Sequence, residues 1–271
     1  MSLVSQSSVG LHRASRAIES LEDTLWEACA FSQRDPFKTS PNEDSAMVIP
    51  SGADSVVLAV ADGCGGMRGG DQASKLALRK LARSIKRAFG KPRLIRNAIL
   101  DGIEEANEAI QSLKIGAACT IAVVEFHRGA IRSYHVGDSM ILVTTNRGRV
   151  RYQSLCHSPI GYAVESGLIA ADEAMHHEDR HLISNYVGSP HMRIDVGPSM
   201  RLSKNDRVLV ASDGLFDNLS IEEVVRRLRQ GKLDACVAKL TKLASKRMRQ
   251  PSESTPSKPD DLTMIALRRR S

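Results

Sequence analysis

Aromatic residues are scarce in this chain of 271 residues, at 4% with a single Trp. Single-stranded nucleic acid is usually gripped by stacking its bases on aromatic side chains, so that mode has little to work with here. The five cysteines (Cys29, Cys64, Cys119, Cys156 and Cys236) are scattered, and none forms a Cys-x-x-Cys pair. Their spacing argues against a zinc knuckle or dithiol redox motif and fits reduced thiols in the cytoplasm. No apolar run approaches the ~20 residues needed to span a bilayer. The opening residues MSLVSQSSVGLHRASR lack the apolar centre of a signal peptide. The expectation is a cytoplasmic protein without membrane insertion.

Hydrophobic residues make up 42% and charged residues 25%, enough for a large core under an ordinary surface. The length suits one large or two small domains. The formal net charge is +7, a balance that favours acidic partners such as nucleic acid, anionic lipid or phosphorylated protein without choosing among them. Solvated Lys and Arg on helix faces account for most of it.

Residues 1–24 read as a polar leader or short helix, with Leu11, Ala14, Ile18, Leu21 and Leu25 at helical spacing. Strands are expected at 26–31, 45–49 and Ser55–Ala61, the last an unbroken apolar run (SVVLAVA) of the kind buried on both faces. A glycine-rich turn follows, then a helix with Asp71 as its N-cap and an apolar face of Ala73, Leu76, Ala77, Leu81, Ile85 and Ala88. A second helix is expected over 94–113. The strands 120–126, 130–136, 140–145 and 150–154 are separated by hairpin-like turns. Residues 157–199 are irregular, with five histidines and a short helix near 171–177. A second buried strand, 207–212, leads to basic helices at 221–229 and 233–249, a proline-rich loop at 250–259 and a closing strand at 262–267. Blocks of hairpin-connected strands with separate helix pairs favour antiparallel sheets with helices packed outside.

Acidic residues recur at the ends of apolar strands: Glu43-Asp44, Asp62-Gly63, Asp213-Gly214 with Asp217, and Asp260-Asp261, with Asp138 in a turn. An isolated turn aspartate is unremarkable. Two buried strands that both end in Asp-Gly are more informative, because gathered carboxylates repel unless protonated or bound to cations. Carboxylates without Cys or His suit Mg²⁺ or Mn²⁺.

The ordered pieces NEDS (42–45), AVADGCGG (59–66), ACTIAVV (118–124), YHVGDS (134–139), VLVASDGLFD (208–217) and DDLTMIAL (260–267) resemble the protein phosphatase 2C family of metal-dependent Ser/Thr phosphatases. Each piece is weak alone; together and in order, over about 26–268, they are specific. The segment 157–189 is similar to the flap of bacterial members. The resemblance implies an α+β fold: a four-layer αββα sandwich of two antiparallel sheets with a helix pair on each outer side. It implies one catalytic domain at 25–271 with a flap at about 157–199.

The resemblance also implies roles. Asp62 bridges two ions and Gly63 offers its carbonyl to one of them, while Asp213 and Asp260 complete the other. Glu43 and Asp44 orient the water around the metals. Asp260 is preferred over Asp261 as ligand, with a slip of one residue left open. Asp138, with Asp213 and Asp217, either holds a third, weaker ion or is a plain turn residue. The implied reaction is single-step: a metal-activated water attacks phosphorus without a covalent phosphoenzyme. Phosphorylated proteins are the implied substrates, with a cognate Ser/Thr kinase as a further partner.

Two positions depart from the family's pattern. Cys64 stands where animal and plant members have His; it reads first as an apolar filler and second as a redox-sensitive thiol. Thr39 stands where the family usually has a phosphate-binding Arg, leaving Lys38 or Arg34 to reach the phosphate, and Lys lacks the bidentate fork of Arg. These departures keep a pseudophosphatase acting as a regulatory binding module as the alternative. A basic nucleic-acid-binding protein ranks lower, for want of a recognition motif. The histidines His157, His176, His177 and His181 are read as flap or surface residues.

Overall fold

The computed structural model describes residues 15–19, 24–64, 68–89, 94–252 and 255–270. The strands are β1 (Ser15–Glu19), β2 (Trp26–Gln33), β3 (Ser45–Pro50), β4 (Ser55–Ala61), β5 (Ile121–His127), β6 (Ala130–Val136), β7 (Met140–Thr144), β8 (Val150–Gln153), β9 (Asp195–Val196), β10 (Met200–Arg201), β11 (Arg207–Ala211) and β12 (Leu262–Arg269). The helices are α1 (Gly70–Arg87), α2 (Ile95–Gln111), α3 (Pro159–Glu165), α4 (Ala171–Ala174), α5 (Asp213–Phe216), α6 (Ile221–Leu228) and α7 (Leu233–Arg249). They form two six-stranded sheets. One has the order β1-β2-β12-β11-β7-β8; the other runs β10-β6-β5-β4-β3, with β9 also paired to β6. The strand pairs are antiparallel.

Side-chain alternation along the central strands builds the layers. In β4, Val56, Leu58 and Val60 face the other sheet, while Val57, Ala59 and Ala61 face α1 and α2. In β11, Val208 and Val210 face the inter-sheet core, and Leu209 and Ala211 pack under α6 and α7 with Val224, Leu228, Cys236 and Leu240. Strands with two buried faces must be apolar at every position, which is why SVVLAVA and RVLVA lack the usual polar alternation. The three apolar layers are those of the expected αββα sandwich.

Several local expectations change. The helix considered for the N-terminal leader is a strand where it is described: β1 pairs with β2, Ser15 opposite Ser32 and Glu19 opposite Ala28. A short segment gains little as an isolated helix, whereas the edge of β2 offers backbone groups that need partners. Residues 1–14 and 20–23, with Leu11, Ala14 and Leu21, lie outside the described residues. Helix α1 starts one residue before the anticipated cap. Gly69, in the left-handed region at φ 82°, is its N-cap, and Asp71 lies in the first turn, paired with Lys75 at 2.9 Å. The helix near 171–177 shortens to α4 and is followed by a 3₁₀ turn, Glu178–His181. Helix α3 was not anticipated; Ser158 caps it by accepting the Gly161 N–H at 2.8 Å, with Pro159 opening the helix. Among the described residues no helix is long and apolar enough to cross a membrane.

Candidate metal centre

Antiparallel pairing collects the acidic turns at one end of the sandwich. The end of β4 lies beside the start of β3 (Ala61 opposite Ser45). The end of β11 lies beside the starts of β12 and β7 (Ala211 opposite Met264 and Met140). Glu43 and Asp44 before β3, Asp62 after β4, Asp138 between β6 and β7, Asp213 opening α5 and Asp217 closing it as its C-cap, and Asp260 and Asp261 before β12 therefore arrive at one edge. Asp62 continues the alternation that points Val56, Leu58 and Val60 between the sheets. Its carbonyl accepts the Thr120 N–H at 2.8 Å, and the Thr120 hydroxyl bonds Ser139 at 2.6 Å. Asp62 and Asp213 lie within hydrogen-bonding reach of each other.

The glycine of each Asp-Gly pair has a steric reason. A β-carbon on Gly63 would lie 2.4 Å from the Gly70 carbonyl carbon, and one on Gly214 would lie 1.9 Å from the Asp261 carbonyl oxygen. Real β-carbons do not come so close, so only glycine lets these backbones approach.

The gathered carboxylates raise one another. Burial, then Asp44, Asp213, Asp260 and Asp138, push Asp62 well above the carboxylate range. Burial and Asp261 do the same to Asp44. Burial and Asp213 raise Asp260 to about 7, and burial, Asp213 and Asp217 raise Asp138 to about 8. Burial also pushes Asp213 upward, but the Lys258 ammonium outweighs it and holds that carboxyl below its usual range. Folding thus concentrates negative charge that an external cation would relieve.

The donor set fits hard divalent cations. Asp44 Oδ1 and Asp138 Oδ1 are buried without a hydrogen-bond partner, the state of oxygens that want a cation. Asp62, Asp213 and Asp260 are only half-buried, so they keep access to solvent. Asp44 Oδ2 accepts the Ser212 hydroxyl at 2.8 Å, which fixes its orientation.

Asp260 and Asp261 separate clearly. Asp261 is 3% exposed; its oxygens accept the backbone N–H groups of Asp35 and Glu43, both at 2.8 Å, and the Lys38 ammonium at 3.0 Å. Its lone pairs are engaged in holding loops. Asp260 keeps 33% of its side chain exposed, and Oδ2 turns into the cluster.

The phosphate-binding candidates are placed differently. Lys38 sits at the rim, with its ammonium shared between Glu43 and Asp261. Arg34 is exposed and reaches the carbonyls of Thr39 and Ser40, each at 3.4 Å. Cys64 is buried, and burial followed by Asp138 pushes its thiol up to about 12. That environment suits the filler role and opposes a reactive thiolate.

Sequence reading missed Lys258. Its Nζ lies 2.7 Å from Asp213 Oδ2, 2.7 Å from Asp217 Oδ2 and 3.2 Å from Asp260 Oδ2. Nothing in a polar, proline-rich loop announces this; the only signal was a cationic residue two positions before Asp260.

Residues 177–181 spell His-Glu-Asp-Arg-His, a zinc-enzyme spacing that works when a helix sets both imidazoles on one face. Here the segment is a single 3₁₀ turn. His177 Nδ1 accepts the Asp179 N–H, and His181 Nδ1 bonds the Glu178 carbonyl, so the motif is not built. His135, His157 and Asp195 do converge. His157 Nδ1 receives the Gly137 N–H at 3.0 Å, a group that can only donate, so the ring proton is on Nε2 and points to Asp195 at 3.0 Å. A protonated Nε2 has no lone pair for a metal. His157, stacked on His135 with centroids 4.4 Å apart, instead braces the turn that carries Asp138.

The family model described as Protein phosphatase 2C matches residues 38–250. The putative protein phosphatase 2C-type of Streptococcus pyogenes is 29% identical over 196 residues, covering 69% of this chain and 78% of that protein. The solved serine/threonine phosphatase of S. agalactiae superposes with a TM-score of 0.77 at 26% identity, covering 90% of this chain and 99% of that one. The catalytic domain of serine/threonine protein phosphatase PstP, solved with two manganese ions, shares the fold at 24% identity and a TM-score of 0.74, covering 91% and 99%.

Proposed function

This chain belongs to the protein phosphatase 2C family and is an enzyme of the serine/threonine protein phosphatase class; we propose that it hydrolyses phosphoserine and phosphothreonine in proteins with two bound manganese or magnesium ions. The observation that carries this reading is the convergence of Asp62, Asp213 and Asp260 at one edge of the sandwich, with buried carboxylate oxygens left unpartnered around them.

In this reading Asp62, the Gly63 carbonyl, Asp213 and Asp260 would hold the two ions. When bound, the ions supply Lewis acidity that lowers the pKa of water and neutralises phosphoryl oxygens. Glu43 and Asp44 orient water around them, with Ser212 fixing Asp44. Lys38, already beside Glu43, meets the phosphate at the rim as a point charge. Cys64 is buried and holds its proton tightly, so proton delivery to the leaving alkoxide falls to water at the site. The reading includes a single domain over 25–271 with a flap at about 157–199, a cytoplasmic location in keeping with five free thiols, and phosphoproteins with their cognate kinase as partners. The PstP structure with two manganese ions supports the choice of metal.

The test is manganese-dependent hydrolysis of p-nitrophenyl phosphate and a phosphothreonine peptide, with Asp62→Asn and Asp213→Asn as controls. Turnover lost in both variants is expected. Inactive wild-type protein, or variants as active as wild type, would overturn the reading.

A further inference from the structure

We infer that Lys258 is a built-in cation whose ammonium takes the place of a third divalent ion beside Asp213 and Asp217, so that this chain binds two metal ions and not three. The inference rests on the two-metal reading above and concerns only how many ions complete it.

An ammonium has three N–H donors and no acceptor. Each donor of Lys258 finds a carboxylate, on Asp213, Asp217 and Asp260, and the two shortest contacts are to Asp213 and Asp217. Those two residues, with Asp138, are the set that would share a third ion. Lys258 makes no ion pair with Asp62, so it leaves open the side of Asp213 on which two ions would be bridged.

The lysine is delivered to this place by the fold. Asn218 is fully buried, and its side chain grips both backbone groups of Lys258: Nδ2 donates to the Lys258 carbonyl at 2.8 Å, and Oδ1 accepts the Lys258 N–H at 3.0 Å. The same Nδ2 donates to the Gly214 carbonyl at 3.0 Å, which ties the loop to the turn carrying Asp213 and Asp217. The Ser257 hydroxyl anchors the preceding residue on the Arg247 carbonyl at 2.9 Å, and Pro259 stiffens the step to Asp260. A flexible surface lysine would need none of this.

A third divalent ion would have to enter beside a cation already in contact with its ligands Asp213 and Asp217, at a strong Coulombic cost.

The experiment counts manganese bound to the full chain by isothermal titration calorimetry and by elemental analysis after gel filtration. Wild type and Asp217→Asn are each expected to hold two ions per chain. Lys258→Met should gain a third, weaker ion that is lost again when Asp217→Asn is added, while Lys258→Arg, which keeps a cation, stays at two. Three ions on wild type with one lost in Asp217→Asn, or a Lys258→Met chain still at two, overturns the inference. Melting in EDTA supplies a second readout. Lys258→Met should melt below wild type and be restored by manganese, because the metal-free cluster has lost its counter-ion; equal melting in EDTA also overturns it. If Lys258→Met does not fold, the wild-type count and its insensitivity to Asp217→Asn still decide. Wild-type protein that binds no manganese and has no manganese-dependent turnover fails the two-metal reading itself, a result distinct from two ions bound with no effect of Lys258.

Discussion

The Asp261 carboxylate accepts the backbone N–H of Glu43 at 2.8 Å, joining the start of β12 to the loop before β3. Its neighbour Asp260 points into the cluster instead. The two substitutions should therefore part company. Asp260→Asn should weaken manganese binding and turnover while leaving the fold intact. Asp261→Asn should cost about 1–3 kcal/mol of stability, the penalty for unpairing buried backbone donors, with manganese stoichiometry unchanged. Calorimetric titration beside thermal melts separates them, and the reverse pattern would reassign the ligand.

Burial and then four other carboxylates, Asp44 first, push Asp62 upward. Asp62→Asn should lower manganese-dependent hydrolysis by about 100-fold or more, a loss that even partners outside the ligand set can reach. The same variant should melt above wild type in EDTA at alkaline pH, where Asp62 is ionised and one of the mutually repelling carboxylates is removed. A metal-free melt below that of wild type would contradict the electrostatic account.

Gly214 has no room for a side chain against the Asp261 carbonyl. Gly214→Ala should destabilise the chain by about 2 kcal/mol or more and reduce manganese affinity, since Asp213 would shift with the backbone. Denaturant unfolding with and without manganese measures both effects.

Glu223 completes the capping box of α6 with Ser220 and meets both Arg247 nitrogens at 2.7 Å. Burial raises its pKa, but Arg247 outweighs burial and holds it below the ordinary 4.5. A depressed carboxylate contributes stability above its unfolded pKa and loses it as pH falls through the folded one. Wild type should therefore exceed Glu223→Gln by about 1–3 kcal/mol at neutral pH, with the gap closing below 4.5. A gap that stays constant into the acid range would exclude the linkage.

Lys38 is already shared between Glu43 and Asp261, which leaves phosphate recognition short of a bidentate donor. Thr39→Arg should lower KM for a phosphothreonine peptide about 10-fold with little change in kcat, the scale of one charge-assisted hydrogen bond. Steady-state kinetics on the peptide tests this.

The layers and the acidic edge were readable along the chain because both follow from local pattern. Apolar runs such as SVVLAVA had to be strands buried on two faces, and each delivered its terminal aspartate to a sheet edge. The helix pairs showed their 3.6-residue periodicity, and α7 occupies the span expected, Leu233–Arg249. Asp62, Gly63, Asp213, Asp260, Glu43, Asp44, Asp138 and Asp217 were all nominated before the fold brought them together. Tertiary contacts decided the rest. The pairing of Ser15–Glu19 with β2 depends on a free strand edge that no local window contains. Asp261 is set apart from Asp260 by the backbone donors of Asp35 and Glu43 and the Lys38 ammonium, all more than two hundred residues away. Lys258 enters the cluster because a buried Asn218, forty residues earlier, grips its backbone. Local periodicity records which face of an element is buried, whereas the partner of a buried charge is set by how distant loops close on it, and only the folded chain holds that information.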